Sequence, residues 1–320
     1  MLVLNQEEVE RLLDMEGCIA AMESALAALA RGEVDMPLRF IFAPASSPSL
    51  IGLMPAHRSG DNPLYSLKTV CVFPDNPQRG LDAHQGTVTL FDGETGVVQA
   101  VMNASAITAI RTAAVTAVAT RLLARDVTRK LAILGSGVQA RAHLESMPSV
   151  RRFENVALYS PTAGHAAALA EEFGVDAAAS AEEAVRDADV VVTATNAAEP
   201  VLERSWLKEG AHLNAVGGRP PQMTELDPET LAAAALFVDR RESAENEAGD
   251  YRRALEEGAI GPDHIRAEIG EVLIGAKPGR EDDEQLTMFR SLGLAVEDLA
   301  AAEYVVQRAR ETGAGVEVAF

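Results

Sequence analysis

Six consecutive residues, Gly135-Ser136-Gly137-Val138-Gln139-Ala140, carry the spacing G-x-G-x-x-A, and each small residue has a chemical reason to be there. Gly135 permits a tight turn, and Gly137 lets the backbone approach a pyrophosphate with no Cβ in the way. Ala140 keeps the next helix close to its sheet. The N-terminus of that helix offers free N–H groups to an anion. The surroundings suit the motif: apolar residues 131–134 read as a buried strand before it, and residues 140–147 as a helix after it. The spacing points to dinucleotide binding.

A second constellation consists of three cations, Arg39, Lys68 and Arg111. Lys68 lies in a strand-like run with apolar neighbours, and Arg111 stands among Ala106, Ile107, Ala109, Ile110 and Ala113. Buried cations are rare unless an anion accompanies them. Carboxylates are scarce near these positions in the sequence, which leaves two readings open: the carboxylate of a substrate, or a structural ion pair. Other chemistries fare worse. The chain has no G-x-S-x-G and no H-E-x-x-H, and its six histidines are scattered without ligand spacing. No metal is expected.

The end of the second strand of a nucleotide-binding sheet chooses between nicotinamide cofactors, because an acid there bonds the ribose hydroxyls of NAD. Here that strand runs into Ser160-Pro161-Thr162-Ala163, and no acid appears before Glu171. Ser160 and Thr162 are suited to donate to a 2′-phosphate, which a carboxylate would repel. NADP(H) is favoured on this ground, with NAD(H) as the alternative.

The elements that must position these residues fall into two kinds. Residues 5–31 read as helical, capped by Asn5 with Glu7 and Glu8 in the first turn. Short strands follow at 39–42, 50–54, 65–72, 86–91 and 97–102, with a hairpin signal at Asp92-Gly93-Glu94-Thr95-Gly96. This part reads as an antiparallel module. Residues 105–124 form an Ala-rich buried helix that bridges two domains. Beyond it, strands at 131–134, 155–159, 189–194, 211–216 and 236–239 alternate with helices such as 163–173 and 181–186, the pattern of a doubly wound parallel sheet. A long helix over 291–312 and a final strand-like segment from Val316 close the chain.

The net charge of −20 argues against nucleic acid or an anionic membrane as partner, since both require a basic surface. Cys18 and Cys71 have no metal-ligand or disulfide spacing, and the opening MLVLNQEEVERLL is acidic where a signal peptide is basic. No apolar run approaches about 18 residues, so no membrane span is expected. The expected setting is the cytoplasm.

The chain resembles the ornithine cyclodeaminase/μ-crystallin family over nearly its full length. The resemblance rests on Met54-Pro55-Ala56, Lys68, the run Ile107 to Ala114 with its R-T-A-A core, and the fingerprint from Gly135 to Ala140. Asn214-Ala215-Val216-Gly217-Gly218, Glu225-Leu226-Asp227 and the run Ser291 to Asp298 match as well. It implies a Rossmann domain (115–296) plus a mixed α+β dimerisation and substrate domain built from both chain ends (1–114 and 297–320), and a homodimer. It also implies that Arg39, Lys68 and Arg111 grip a substrate α-carboxylate below the nicotinamide. Lys68 and Arg111 then serve the reaction directly, and His84 is a weaker candidate to move a proton. The cofactor-binding set grows to include Thr112, Thr195, Val216, Gly217, Ser291 and Gly293 beside Gly135, Ser136, Gly137, Val138, Gln139, Ala140, Ser160 and Thr162.

Two departures bear on the reaction. Ornithine cyclodeaminases carry an acid directly after the Val-Gly-Gly element and another two residues before the Met-Pro pair; here these places hold Arg219 and Gly52. An arginine cannot act as a base at neutral pH. Arg219 is either a solvated loop residue or a partner for a second acidic group on the substrate. The expected activity is therefore an NAD(P)H-dependent reductase or dehydrogenase acting on an imino/amino acid pair. Candidate substrates are cyclic ketimines such as pyrroline- or piperideine-2-carboxylate, and imines formed from a 2-oxo acid and an amine. Alanine dehydrogenation, ornithine cyclodeamination and a nicotinamide-dependent binding protein without turnover are the rivals.

Overall fold

A computed structural model describes residues 1–217 and 223–319. The chain divides into two units: Met1–Arg111 with the C-terminal stretch from Gly293 onward, and Thr112–Leu292. Each is described by itself, for the described residues.

The first unit is built on strands Leu2–Leu4 (β1), Val34–Asp35 (β2), Phe40–Phe42 (β3), Leu50–Arg58 (β4), Leu64–Val72 (β5), His84–Asp92 (β6) and Val98–Asn103 (β7). Their order is Val316–Glu317, β1, β7, β6, β5, β4, β2, with β3 also paired to β4. All pairings are antiparallel except β1 with β7. The hairpin between β6 and β7 closes where predicted: Asp92 Oδ1 accepts from Thr95 N at 2.8 Å, and Gly96 takes φ +72°. Alternate residues Gly52, Met54, Ala56, Ser66, Lys68, Val88, Leu90, Ala100 and Met102 are buried on one sheet face. The helix Ala295–Thr312 packs on β4, β5 and β6 and against the helix Met15–Ala30. Asn5 caps the first helix, Gln6–Leu12, in a reciprocal box with Glu8, as its residue type predicts.

The second unit holds a sheet of eight strands: Lys130–Leu134 (β8), Asn155–Tyr159 (β9), Asp176–Ala177 (β10), Val190–Thr193 (β11), His212–Ala215 (β12), Ala235–Val238 (β13), Ile265–Glu268 (β14) and Thr287–Arg290 (β15). Every pairing is parallel, in the order β10-β9-β8-β11-β12-β15-β13-β14. The chain winds outward from β8 in both directions, so the strand order reverses between β8 and β11. In such sheets the crevice outside the carboxyl ends at that point is where ligands bind. The central strands β11, β12, β13 and β15 are buried throughout, which explains the near-continuous apolar sequences of β11 and β13; β12 and β15 also bury His212, Asn214, Thr287 and Arg290.

Three expectations need correction. The final helix begins at Ala295 and not at residue 291, because Gly293 takes φ +73° and breaks it. The preceding Thr287–Arg290 is a strand inserted between β12 and β13, a position set by long-range pairing that its short sequence does not announce. The helix Ala104–Leu123 is by length and composition able to cross a membrane, so an apolar stretch of that size does exist. Most of it is buried within the protein, the state of a core helix, and its average is apolar although Arg111 interrupts the run. The boundary between the two units falls inside this helix.

Candidate active site

The dinucleotide fingerprint sits at the switch point of the second unit. Gly135 follows β8 with φ +133°, and a Cβ there would come 2.4 Å from the carbonyl oxygen of Ala194, just past β11. Its N–H donates to Tyr159 O at 2.8 Å, tying the ends of β8 and β9 together. Gly135 is thus required by neighbouring backbone. Gly137 is different: it is the N-cap of the helix Val138–Ser146, no side chain caps that helix, and a Cβ at Gly137 would meet nothing within 4 Å. With no side chain capping them, the first N–H groups of this helix suit an anion. Ala140 is fully buried and lets the helix lie close to the sheet, while Ser136 is half-buried and Val138 exposed. Gln139 Oε1 is buried without a protein partner among the described residues. These features fit a dinucleotide pyrophosphate.

The remaining cofactor candidates lie at several places. Ser160 is buried at the end of β9, and its Oγ accepts from Thr162 N at 3.4 Å, forming the turn into the helix Ala163–Phe173. Thr195 donates through both N and Oγ1 to Glu225 Oε1, each at 2.7 Å, and its hydroxyl also accepts from Ala197 N at 3.2 Å. Val216 N donates to Thr193 O at 2.9 Å and Gly217 N to Glu225 Oε2 at 2.8 Å. Ser291 N donates to Ala215 O at 3.0 Å, and Thr112 is a buried helical residue whose carbonyl accepts from Thr116 Oγ1.

In the first unit the structure brings the three cations together. Lys68, 2% exposed, projects from the centre of β5 opposite Met54 of β4 and Val88 of β6. Its Nζ is 2.7 Å from Asp298 Oδ2. Arg111 Nε donates to Asp298 Oδ1 at 3.1 Å and Nη1 to Glu297 Oε2 at 2.6 Å. Arg39 Nη2 donates to Gly293 O at 2.8 Å. A Cβ at Gly293 would come 2.4 Å from Arg111 Nη1, so its glycine is required by the guanidinium lying against it. Gly293 therefore belongs with the cations of the first unit.

These ion pairs correct the premise that carboxylates are scarce around the cations. Glu297 and Asp298 are far away in sequence and adjacent in space, on the first turn of the helix Ala295–Thr312. Both are fully buried among apolar helix residues. Two acids on an otherwise apolar helix face are a legible sign of buried cationic partners, and that signal was available. Burial pushes the Lys68 ammonium down to about 8, with Asp298 opposing the shift and Arg111 reinforcing it. Burial alone would raise Asp298, but Lys68 and Arg111 outweigh it and hold its carboxyl below the ordinary value.

Two candidates are not brought into this cluster. His84 is exposed at the first residue of β6, paired with Val72. That places it four positions along the strand from the Lys68 row, roughly 13 Å at the usual rise. Arg219 lies outside the described residues. Sequence reasoning matches Glu225 to the family and misses that its carboxylate is fully buried. An acid flanked by Thr224 and Leu226, between strand signals, was the only hint.

The sequence profile of the ornithine cyclodeaminase/mu-crystallin family matches residues 1–313. Ketimine reductase mu-crystallin of Mus musculus is 41% identical over 308 residues, covering 94% of this chain and 95% of the mouse protein. A structure of Thermococcus litoralis Delta(1)-pyrroline-2-carboxylate reductase in complex with NADH and L-proline matches with a TM-score of 0.95 at 35% identity, over 99% of this chain and 100% of that one. An archaeal alanine dehydrogenase dimer with bound NAD gives a TM-score of 0.93 at 36% identity, over 100% and 99% of the two chains.

Proposed function

Because this chain belongs to the ornithine cyclodeaminase/mu-crystallin family, we propose that it is an NAD(P)H-dependent reductase of small imino acids. Hydride adds to the C=N carbon, a proton adds to nitrogen, and the amino acid results. The observation that carries the reading is the convergence of three cations in one unit: half-buried Arg39 at Gly293 O, and buried Lys68 and Arg111 sharing Asp298. Cations gathered in this way suit a monoanionic α-carboxylate. Arg111, its guanidinium oriented by Asp298 and Glu297, supplies a planar delocalised charge for that anion, and Lys68 a point charge.

Bound nicotinamide would supply the hydride, and Gly137 with the uncapped helix N-terminus would hold the pyrophosphate of the dinucleotide. Lys68 has a second task. With its ammonium lowered to about 8, it holds a proton at Nζ at neutral pH and can release it, the tuning that suits a general acid. Among dinucleotides NADPH is preferred: Ser160 and Thr162 form the turn after β9, and no carboxylate follows that strand before Glu171. The names of the mouse and Thermococcus relatives support cyclic ketimines as substrates.

Gly52 speaks against cyclodeamination. A Cβ there would already lie 3.3 Å from Ile41 Cδ1 and 3.5 Å from Val70 Cγ1, so an acidic side chain has no room without displacing Ile41. A homodimer completes the reading. Phe40 and Phe42 are exposed and pair with Leu53 and Ile51, on the sheet face opposite Lys68. Tyr65, Leu67 and Leu53 extend that apolar surface, which suits a second copy.

The test is NADPH and NADH oxidation followed by absorbance with a panel of cyclic and linear imino acids, beside ornithine supplied with NAD and assayed for ammonia. Imine-dependent oxidation without ornithine deamination is expected. Proline and ammonia from ornithine, with no imine reduction, overturn the proposal.

A further inference from the structure

Glu225 is a buried carboxylate that the reaction as described does not use. It is 0% exposed, and each of its oxygens accepts two hydrogen bonds. Oε1 takes Thr195 N and Thr195 Oγ1, both at 2.7 Å; Oε2 takes Thr193 Oγ1 at 2.9 Å and Gly217 N at 2.8 Å. Thr193 ends β11, Thr195 lies two residues beyond it, and Gly217 lies two residues beyond β12. One side chain therefore joins the carboxyl ends of two adjacent parallel strands, beside the switch point where Gly135 abuts Ala194.

The anchor of this side chain is itself fixed. Glu225 O accepts from Val201 N at 2.9 Å, Leu226 bridges Leu202 in parallel fashion, and Thr224 Oγ1 donates to Ala198 O at 3.3 Å. Gly217 is a glycine for the same reason: a Cβ there would lie 2.0 Å from Thr195 O and 2.6 Å from Glu225 Oε1. The Thr195 and Gly217 backbones thus approach each other closely, with the Glu225 carboxylate bonded to both. Burial raises the Glu225 carboxyl, opposed by the charge of the buried Arg290 and by the hydroxyl and N–H donors.

We propose that Glu225 is the positioning residue of the dinucleotide cradle, setting the separation of the Thr195 and Gly217 backbones at the strand ends that face the cofactor. This rests on the reductase reading above. The chemistry demands a carboxylate. The two backbone donors, Thr195 N–H and Gly217 N–H, cannot rotate, and they point at different oxygens. An amide of equal size must turn its NH2 toward one of them, so Glu225→Gln leaves a buried donor facing a donor in either orientation.

The experiment compares full-length wild type, Glu225→Gln and Thr193→Val for NADH and NADPH binding by nicotinamide fluorescence, with thermal unfolding in parallel. Thr193→Val removes one rotatable hydroxyl and keeps both backbone bonds, so its melting temperature falls while its dinucleotide Kd stays within about twofold. Glu225→Gln raises Kd about tenfold or more, while substrate KM at saturating cofactor changes little. If Glu225→Gln binds as wild type does, or if Thr193→Val loses affinity in step with stability, the proposal is overturned. Should Glu225→Gln not fold, Glu225→Asp keeps the charge and withdraws the oxygens by one methylene. A Kd several-fold higher supports the proposal, and an unchanged Kd overturns it. Wild type that binds neither dinucleotide overturns the reductase reading and this proposal together.

Discussion

Asp298 holds two cations at once, and Asp298→Asn is the most informative single change to the cluster. The carboxylate lies 2.7 Å from Lys68 Nζ and 3.1 Å from Arg111 Nε, fully buried. At an effective dielectric of about 20 each contact represents on the order of 5–6 kcal/mol of gross attraction. Most of that is offset by desolvation, and removing one partner of a buried pair costs about 3–5 kcal/mol net. The variant should melt about 4–7 °C lower. The chemical consequence is sharper. Asp298 is the group that raises Lys68 against the effect of burial. Without it the ammonium falls below its value of about 8, and Lys68 becomes neutral nearer physiological pH. In wild type the alkaline limb of kcat/KM should lie near pH 8, activity falling as Lys68 loses its proton above that point. In Asp298→Asn the limb should move acidward by about one unit or more, each unit being about 1.4 kcal/mol. The assay is the pH profile of imine reduction in wild type and variant with one substrate, so that titration of the substrate cancels. A folded variant whose limb stays in place refutes the assignment of that limb to Lys68. The double variant Lys68→Met/Asp298→Asn should regain part of the lost stability, since it no longer buries the Lys68 charge beside a missing partner.

Arg111→Lys keeps the charge and loses the planar fork; substrate KM should rise about tenfold or more with dinucleotide Kd unchanged, and steady-state kinetics beside fluorescence titration decide it. Gly135→Ala places a Cβ 2.4 Å from Ala194 O at φ +133°, so it should lower both melting temperature and cofactor affinity, whereas Gly137→Ala should lower affinity alone. Asp189 accepts from Arg129 N and Lys130 N and pairs with Arg125 and Lys208. Burial opposes the shift, yet these partners bring its carboxyl down to about 2. Its contribution to stability is present above the ordinary carboxylate range and is lost as pH falls toward 2. Asp189→Asn should be less stable at neutral pH and show a flatter acid-unfolding curve below pH 4.

Much of the design is local and was legible in the residues. The fingerprint from Gly135 to Ala140, the Asn5 cap with Glu8, and the Asp92 hairpin depend on neighbours a few positions apart, and steric rules fix their conformation. The alternation of strand and helix beyond residue 130 likewise announces a parallel sheet, because parallel strands need crossovers. What stayed hidden depends on residues that are distant in sequence and adjacent in space. Thr287–Arg290 became a strand only by inserting between β12 and β13. Lys68 and Arg111 could be recognised as buried cations, but their partners Glu297 and Asp298 lie more than 180 positions further along than Arg111. Gly217 and Gly293 read as cofactor residues by motif, whereas the fold requires their glycines for Glu225 and Arg111. Residue type thus determined which chemistry each segment could do. Packing decided which charges meet, because the desolvation that shifts Lys68 and orders Glu225 exists only once the two sheets have buried them.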